Sequence, residues 1–224
     1  RPELESNGLR DVDAVLTTRE LGKLIRRSGI NFAKLPDEDF DTDLVHDYTG
    51  AGVIFGVTGG VMEAALRTAY FVLTGKEREG VEFHEVRGFD SIREAEFDLN
   101  GQKLRVAVTS GMKGAKVLMD QIREGTSPYA FIEVMGCPGG CINGGGQPYV
   151  REVFLPNEDD DIVDTYCEKR ARALYSEDER QTLRQSHNNP QLKDLYKEFL
   201  GEPNSHLAHK LLHTYYNKDR VRFN

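Results

Sequence analysis

The sequence predicts an α/β fold: a lobe over residues 1–150 with a mainly parallel sheet flanked by helices, and a helical extension over 151–224 that packs on the same domain. Three observations carry that expectation. Strand-like and helix-like segments alternate through the first two thirds of the chain, glycine-rich turns separate them, and beyond Pro148 the strand signals give way to charged helical periodicity.

Asp11 to Leu16 alternates and is rich in Val and Leu, which predicts a short strand. Thr17-Thr-Arg-Glu20 is a capping-box pattern and opens an amphipathic helix through about Arg27. The acidic stretch Leu35-Pro-Asp-Glu-Asp-Phe-Asp-Thr-Asp43 reads as a solvated loop. Gly50-Ala-Gly-Val-Ile-Phe-Gly-Val-Thr-Gly-Gly60 leads into a helix over Val61 to Leu73, closed by Gly75. Glu82 to Val86 and Glu96 to Leu99 read as strands, and Asn100-Gly101 as a hairpin turn into Lys103 to Thr109. A helix over Met112 to Glu124 follows. Tyr129 to Met135 then reads as an apolar strand that delivers the chain into Gly136-Cys-Pro-Gly-Gly-Cys141. In the extension, Asn157 to Asp161 is a solvated turn. Helices are expected near Val163 to Leu174, Glu177 to Gln185, Gln191 to Leu200 and His206 to Tyr216, punctuated by Asn189-Pro190 and Gly201-Glu-Pro203.

Bulk properties narrow the function. At 38% hydrophobic and 29% charged residues with no long apolar run, the chain fits a globular protein without a membrane span. A formal charge of −8 repels polyanions, so small molecules and proteins are better partners than nucleic acid or anionic membrane. Three cysteines make no disulfide framework and point to a reducing compartment, hence the cytoplasm. A first residue that is Arg1 rather than Met suggests a processed or excerpted chain.

Four groups of residues invite a chemical reading. Gly56 to Gly60 precedes a helix, but it lacks both the P-loop ending and the dinucleotide spacing, which favours close packing over phosphate binding. His206, His209 and His213 share a helical face and read as packing or interface histidines rather than metal ligands. Cys167, in a charged helical segment, reads as incidental. Cys137 and Cys141 differ, because they leave a buried strand inside a glycine-rich loop whose exposed amides and small residues suit an inorganic cluster. The residue types also leave open a redox dithiol, a zinc site and a purely structural loop. Two cysteines are half of what a four-iron cubane requires.

The run Glu133-Val-Met-Gly-Cys-Pro-Gly-Gly-Cys-Ile-Asn-Gly-Gly-Gly-Gln-Pro148 resembles the third signature of the active-site domain of FeFe (iron-only) hydrogenases. The likeness continues in Arg1-Pro-Glu-Leu4, Asp11-Val-Asp-Ala-Val-Leu-Thr-Thr-Arg-Glu-Leu21, Gly52-Val-Ile-Phe-Gly-Val-Thr-Gly-Gly-Val-Met-Glu-Ala-Ala-Leu-Arg67, His187-Asn-Asn-Pro190 and His209-Lys-Leu-Leu-His-Thr-Tyr215. The resemblance implies the C-terminal part of an H-cluster domain, beginning just after the second signature. It implies reversible reduction of protons to hydrogen at an H-cluster, a 4Fe-4S cubane joined to a di-iron unit with CO and CN ligands.

By the same resemblance, Cys137 and Cys141 would ligate the cubane, Cys141 would bridge to the di-iron unit, and Met135 and Phe55 would form its apolar surroundings. The first two signatures, with two further cubane cysteines, a relay cysteine and a lysine, are absent from the sequence. The expected partners are therefore an upstream hydrogenase lobe and an electron carrier such as ferredoxin or an NAD(P)-linked subunit. An iron-sulfur assembly protein or a sensor without hydrogen turnover is the alternative.

Overall fold

The computed structural model describes residues 5–38, 46–99, 101–148 and 161–213. Its first element is a hairpin, β1 (Glu5–Ser6) against β2 (Leu9–Arg10), turned by Asn7 and Gly8 at φ 53° and 77°. Positive φ at both central residues is what a tight Asn-Gly turn demands. The strand expected at 11–16 does not form. Those residues are exposed, with Val15 85% accessible, and they have no strand partner among the described residues.

Helix α1 (Thr18–Arg27) starts as its sequence requires. Thr17 accepts from the Glu20 amide, and Glu20 accepts from the Thr17 amide at 2.9 Å. Among glycines, α2 (Gly50–Val53) and a single 3-10 turn (Ile54–Gly56) lead into α3 (Gly60–Thr74), which Gly75 closes at φ 67°. The closure by Gly75 follows the sequence expectation.

The segment 82–86 is not a strand but carries a 3-10 turn over His84–Val86. Phe83 and Val86 are both buried in the main core, and residues three apart reach one side on a helical turn but opposite sides on a strand. The sheet itself is mixed rather than mainly parallel. β3 (Ile92–Leu99) and β4 (Gln102–Ser110) form an antiparallel hairpin, and β5 (Phe131–Met135) joins β4 in parallel after the crossover helix α4 (Met112–Arg123). The hairpin removes one parallel pairing, whereas the crossover permits the other. Asn100 lies outside the described residues.

The main core joins α3 to the hairpin through Met62, Leu66, Phe83, Val86, Ala95, Val106 and Val108, with the Phe83 and Phe97 rings edge to face at 5.1 Å. A smaller core joins Val57 and Ile142 to Cys167 and Ala171. The last two lie on α5 (Asp161–Arg180), one continuous helix where the sequence suggested a break near Ser176. Continuity has a physical cause. Leu174 and Tyr175 pack on the smaller core, and one turn later Asp178 is buried against Arg67, so the helix carries both contacts across the expected break.

Arg67 is the centre of a buried ionic hub. Its guanidinium grips both Asp178 oxygens at 2.8 Å and Glu63 at 2.8 Å, and all three side chains are wholly buried. Arg87 also pairs with Glu63, and Arg184 joins Asp178 to Glu82. Burial opposes the Arg67 charge, yet the bonds to Asp178 and Glu63 outweigh it and raise its pKa. Helix α6 (Pro190–Leu195) passes into a π-helical turn (Tyr196–Leu200), and α7 (His206–Leu212) follows. Residues 1–4, most of the acidic run 35–43, 157–160 and the expected end of the last helix lie outside the described residues.

Candidate metal centre

β5 ends at Met135, whose carbonyl accepts from the Gly111 amide at 2.7 Å, and the chain then turns through the cysteine loop. The Gly140 amide donates to the Cys137 carbonyl at 3.0 Å, closing a turn that needs Gly139 and Gly140 at φ 80° and 93°. A 3-10 turn over Cys141–Asn143 follows, and Gln147 closes the glycine run by donating to the Gly144 carbonyl at 2.9 Å. Both Cys137 and Cys141 are free thiols exposed at the surface.

The two glycine-rich stretches meet here. The Thr58 amide donates to the Gly139 carbonyl at 3.1 Å. A Cβ on Gly140 would lie 2.7 Å from both the Gly56 carbonyl oxygen and the Thr58 nitrogen, and 3.0 Å from Met135 Sδ. A side chain is therefore excluded at Gly140. Gly139 also donates to Ser110 Oγ at 3.3 Å, which ties the loop to the end of β4.

Beneath the loop lies a buried carboxylate. Glu133, the inward residue of β5, accepts from Gly59 N at 2.6 Å and Met62 N at 2.7 Å with its two oxygens. It thereby satisfies amides at the start of α3 that have no partner inside the helix. Burial raises its pKa, against the two amide bonds and the nearby Arg93 charge, which lower it. Arg93 donates to Thr58 Oγ1 at 2.9 Å and to the Val86 carbonyl at 3.1 Å, fixing the other side of Gly59.

The structure places three of the four expected site residues at the end of β5 and in the loop that follows it: Met135, Cys137 and Cys141. Phe55 sits in the 3-10 turn whose Gly56 carbonyl faces Gly140, with its side chain 48% exposed. The amides opening α3 bond to Glu133, in keeping with glycines that serve packing rather than phosphate. Sequence reasoning passed over Glu133, Arg93 and Arg170. A lone Glu in the otherwise apolar run Phe131-Ile-Glu-Val-Met135 was the available signal for the first. Cys167 is not incidental in position, because its Sγ lies 3.4 Å from where a Gly139 Cβ would be, so it packs directly behind the loop.

The His209 and His213 rings stack at 4.7 Å, and no group of three or more His, Cys, Asp or Glu able to hold a metal occurs among the described residues. The donor set of the loop is two thiols. Gly144 leaves open the space beside Cys137 Sγ, which lies 3.9 Å from where a Cβ would stand. Two soft sulfur donors on a glycine-turned cradle fit half the ligand set of an iron-sulfur cubane.

Comparison with known proteins gives a consistent result. A family model described as iron only hydrogenase large subunit, C-terminal domain, matches residues 1–145, and one described as iron hydrogenase small subunit matches residues 164–219. The chain is 49% identical over 219 residues to the NADP-reducing hydrogenase subunit HndD of Solidesulfovibrio fructosivorans, covering 97% of this chain and 35% of that protein. It is 45% identical over 218 residues to iron hydrogenase 1 of Clostridium pasteurianum, covering 97% and 37%. Protein NAR1 of Arabidopsis thaliana is 34% identical over 215 residues, covering 93% and 43%. A solved variant of [FeFe]-hydrogenase HydA1 from Chlamydomonas reinhardtii superposes with a TM-score of 0.69 at 39% identity, covering 95% of this chain and 58% of that one. The chain spans little more than a third of the length of the two hydrogenase relatives.

Proposed function

The chain belongs to the iron-only (FeFe) hydrogenase family, and from that premise we infer that it is the C-terminal lobe of an H-cluster domain that works only with an upstream lobe. The observation that carries this reading is the pair of exposed thiols, Cys137 and Cys141, on a loop held from behind by Gly56 to Thr58. Cys137 and Cys141 would hold the cubane, and Cys141 would also join it to the di-iron unit. Met135, with its sulfur over Gly140, and the half-exposed Phe55 form the apolar wall that excludes water from that unit. The H-cluster, when bound, supplies the reversible reduction of protons to hydrogen. Residues 1–150 and 151–224 act as one body in this reading, α5 backing the cysteine loop.

Two further observations favour an upstream partner lobe. From Leu9 to Glu38 no side chain is buried, and Val12, Val15, Leu16, Leu24, Phe32 and Leu35 present an apolar surface to solvent. The two missing cubane thiolates also have to come from outside the described residues. A nicotinamide-linked subunit or ferredoxin would pass the electrons, the former in line with the NADP-reducing HndD relative. No described helix is long and apolar enough to cross a membrane.

The test compares the chain alone with the chain reunited with an upstream lobe. The lone chain should give no carbonyl or cyanide infrared bands and evolve no hydrogen from a reduced dye, and reunion, with iron, sulfide and a di-iron carbonyl-cyanide precursor supplied to both samples, should bring both. Hydrogen evolution by the lone chain would sink the reading. The second reading, a cluster-assembly protein, is favoured by 31% identity over 211 residues to the cytosolic iron-sulfur assembly component 3 of Mus musculus. It would be supported by a reunited protein that binds iron but lacks those bands.

A further inference from the structure

We propose that Arg170 of α5 is a positioning residue for the cysteine loop: its guanidinium joins the two ends of the glycine run and sets a permanent positive charge against the residue that follows Cys141. The proposal rests on the cluster reading above. Arg170 Nη1 donates to the Ile142 carbonyl at 2.8 Å and Nη2 to the Pro148 carbonyl at 2.9 Å. Those two carbonyls bracket the run from just after Cys141 to its final proline. A single planar fork thus spans the segment Asn143 to Gln147.

The run is also held from its other side. The Arg19 amide donates to the Gly146 carbonyl at 3.2 Å and Arg19 Nη2 to the Gly145 carbonyl at 2.6 Å, while a Cβ on Gly146 would lie 2.8 Å from Thr17 Cβ. The two anchors differ in firmness. α1 has no buried residue, whereas α5 is fixed by Cys167 and Ala171 in the smaller core and by Asp178 in the ionic hub. The rigid body packs the near end of the run through Ile142 and Cys167 and reaches its far end, at Pro148, through Arg170, and α1 rides on the loop.

Two separable consequences follow from one side chain. The fork geometry restrains the loop, and lysine, with a single ammonium and no planar fork, cannot reproduce it. The charge acts differently. A guanidinium stays protonated, and reduction of a cluster held by thiolates adds negative charge, so a half-buried cation nearby favours the reduced state.

The experiment uses the enzyme reunited with its upstream lobe and carrying Arg170→Lys or Arg170→Gln. The readouts are the midpoint potential of the cubane by electron paramagnetic resonance, iron loss to a chelator, and amide exchange over Gly144 to Gln147. Arg170→Lys should keep the potential near the parent value while exchange and iron loss quicken. Arg170→Gln should show the same quickening together with a more negative potential. Exchange at Asp178 to Arg180 serves as the control that α5 stays folded. Unchanged loop exchange in both variants, or an unchanged potential in Arg170→Gln, would overturn the proposal. A parent enzyme without any cubane signal would instead defeat the cluster reading. Loop exchange in that cluster-free protein would then decide the fork alone, with no quickening in either variant ruling it out.

Discussion

The surroundings of Arg67, midway along α3, and those of Cys137, packed against Gly56 to Thr58, both rest on one segment, α3 with its preceding glycines, and they are finished to different degrees. Around Arg67 the charges are removed from water and matched within the chain, Glu63 on one side and Asp178 on the other. Around Cys137 the backbone is bonded through the amides of Gly139, Gly140, Asn143 and Gly144, but the thiols, Phe55 and the neighbouring segment from Leu9 to Glu38 face outward. The contrast teaches that this chain completes its own fold at the hub and prepares, without completing, a surface at the loop. A buried charge left unmatched is costly, so the hub must be complete in itself. An exposed thiol carries no such demand.

The comparison breaks most visibly at the hub. Arg67→Met leaves Glu63 and Asp178 buried without their shared cation and should lower stability by about 3–5 kcal/mol in urea denaturation. A loss near zero would mean that the hub does not lock α5 to α3. The same lock has a pH signature. Burial of Asp178 opposes its ionisation, but the bonds from Arg67 and Arg184 prevail and hold its pKa below the ordinary 3.8. The stability it confers is present above about pH 4 and is lost as pH falls through the depressed folded value. Urea midpoints measured downward from pH 5 should therefore drop less in Asp178→Asn than in the parent.

Closer to the loop the expected effects shrink. Glu133→Gln can satisfy one of the two amides it now serves, and a loss of about 1–3 kcal/mol is expected, with faster exchange at Gly59 and Met62. Equal exchange at both would show that the carboxylate is not what holds β5 to α3. Thr17→Ala removes the cap of α1 at a cost of about 1 kcal/mol. Because α1 buries nothing, that loss should appear as exchange within Thr18 to Arg27 and leave the global transition unmoved.

Local rules in the sequence were legible where they needed no partner. The capping box at Thr17, the closure at Gly75 and the hairpin from β3 to β4 all follow from side chains within a few residues of one another. The strand at 11–16 failed because a strand needs a neighbour to bond to, and the Asn7-Gly8 turn that does make a hairpin lies one step earlier in the chain. The segment 82–86 failed because two buried residues three apart were read with the wrong period.

At the candidate site the division is the same. The two cysteines, the glycines between and after them, and Met135 stand together in the sequence and could be read together. Glu133 was quoted within that run, yet its task depends on Gly59 and Met62, more than 70 residues away. Arg170 and Cys167 reach the loop from α5, and nothing in the sequence near either one names that contact. Side chains that act across such separations become visible only once the chain is folded.

The central claim is that Cys137 and Cys141 are half of a cluster cradle, and the most direct test is infrared spectroscopy of the reunited enzyme with and without Cys141→Ser. The account predicts carbonyl and cyanide bands in the parent and their loss in the variant, because in this reading Cys141 would be the sulfur that joins the di-iron unit to the cubane. Bands of unchanged position and intensity in Cys141→Ser would contradict it.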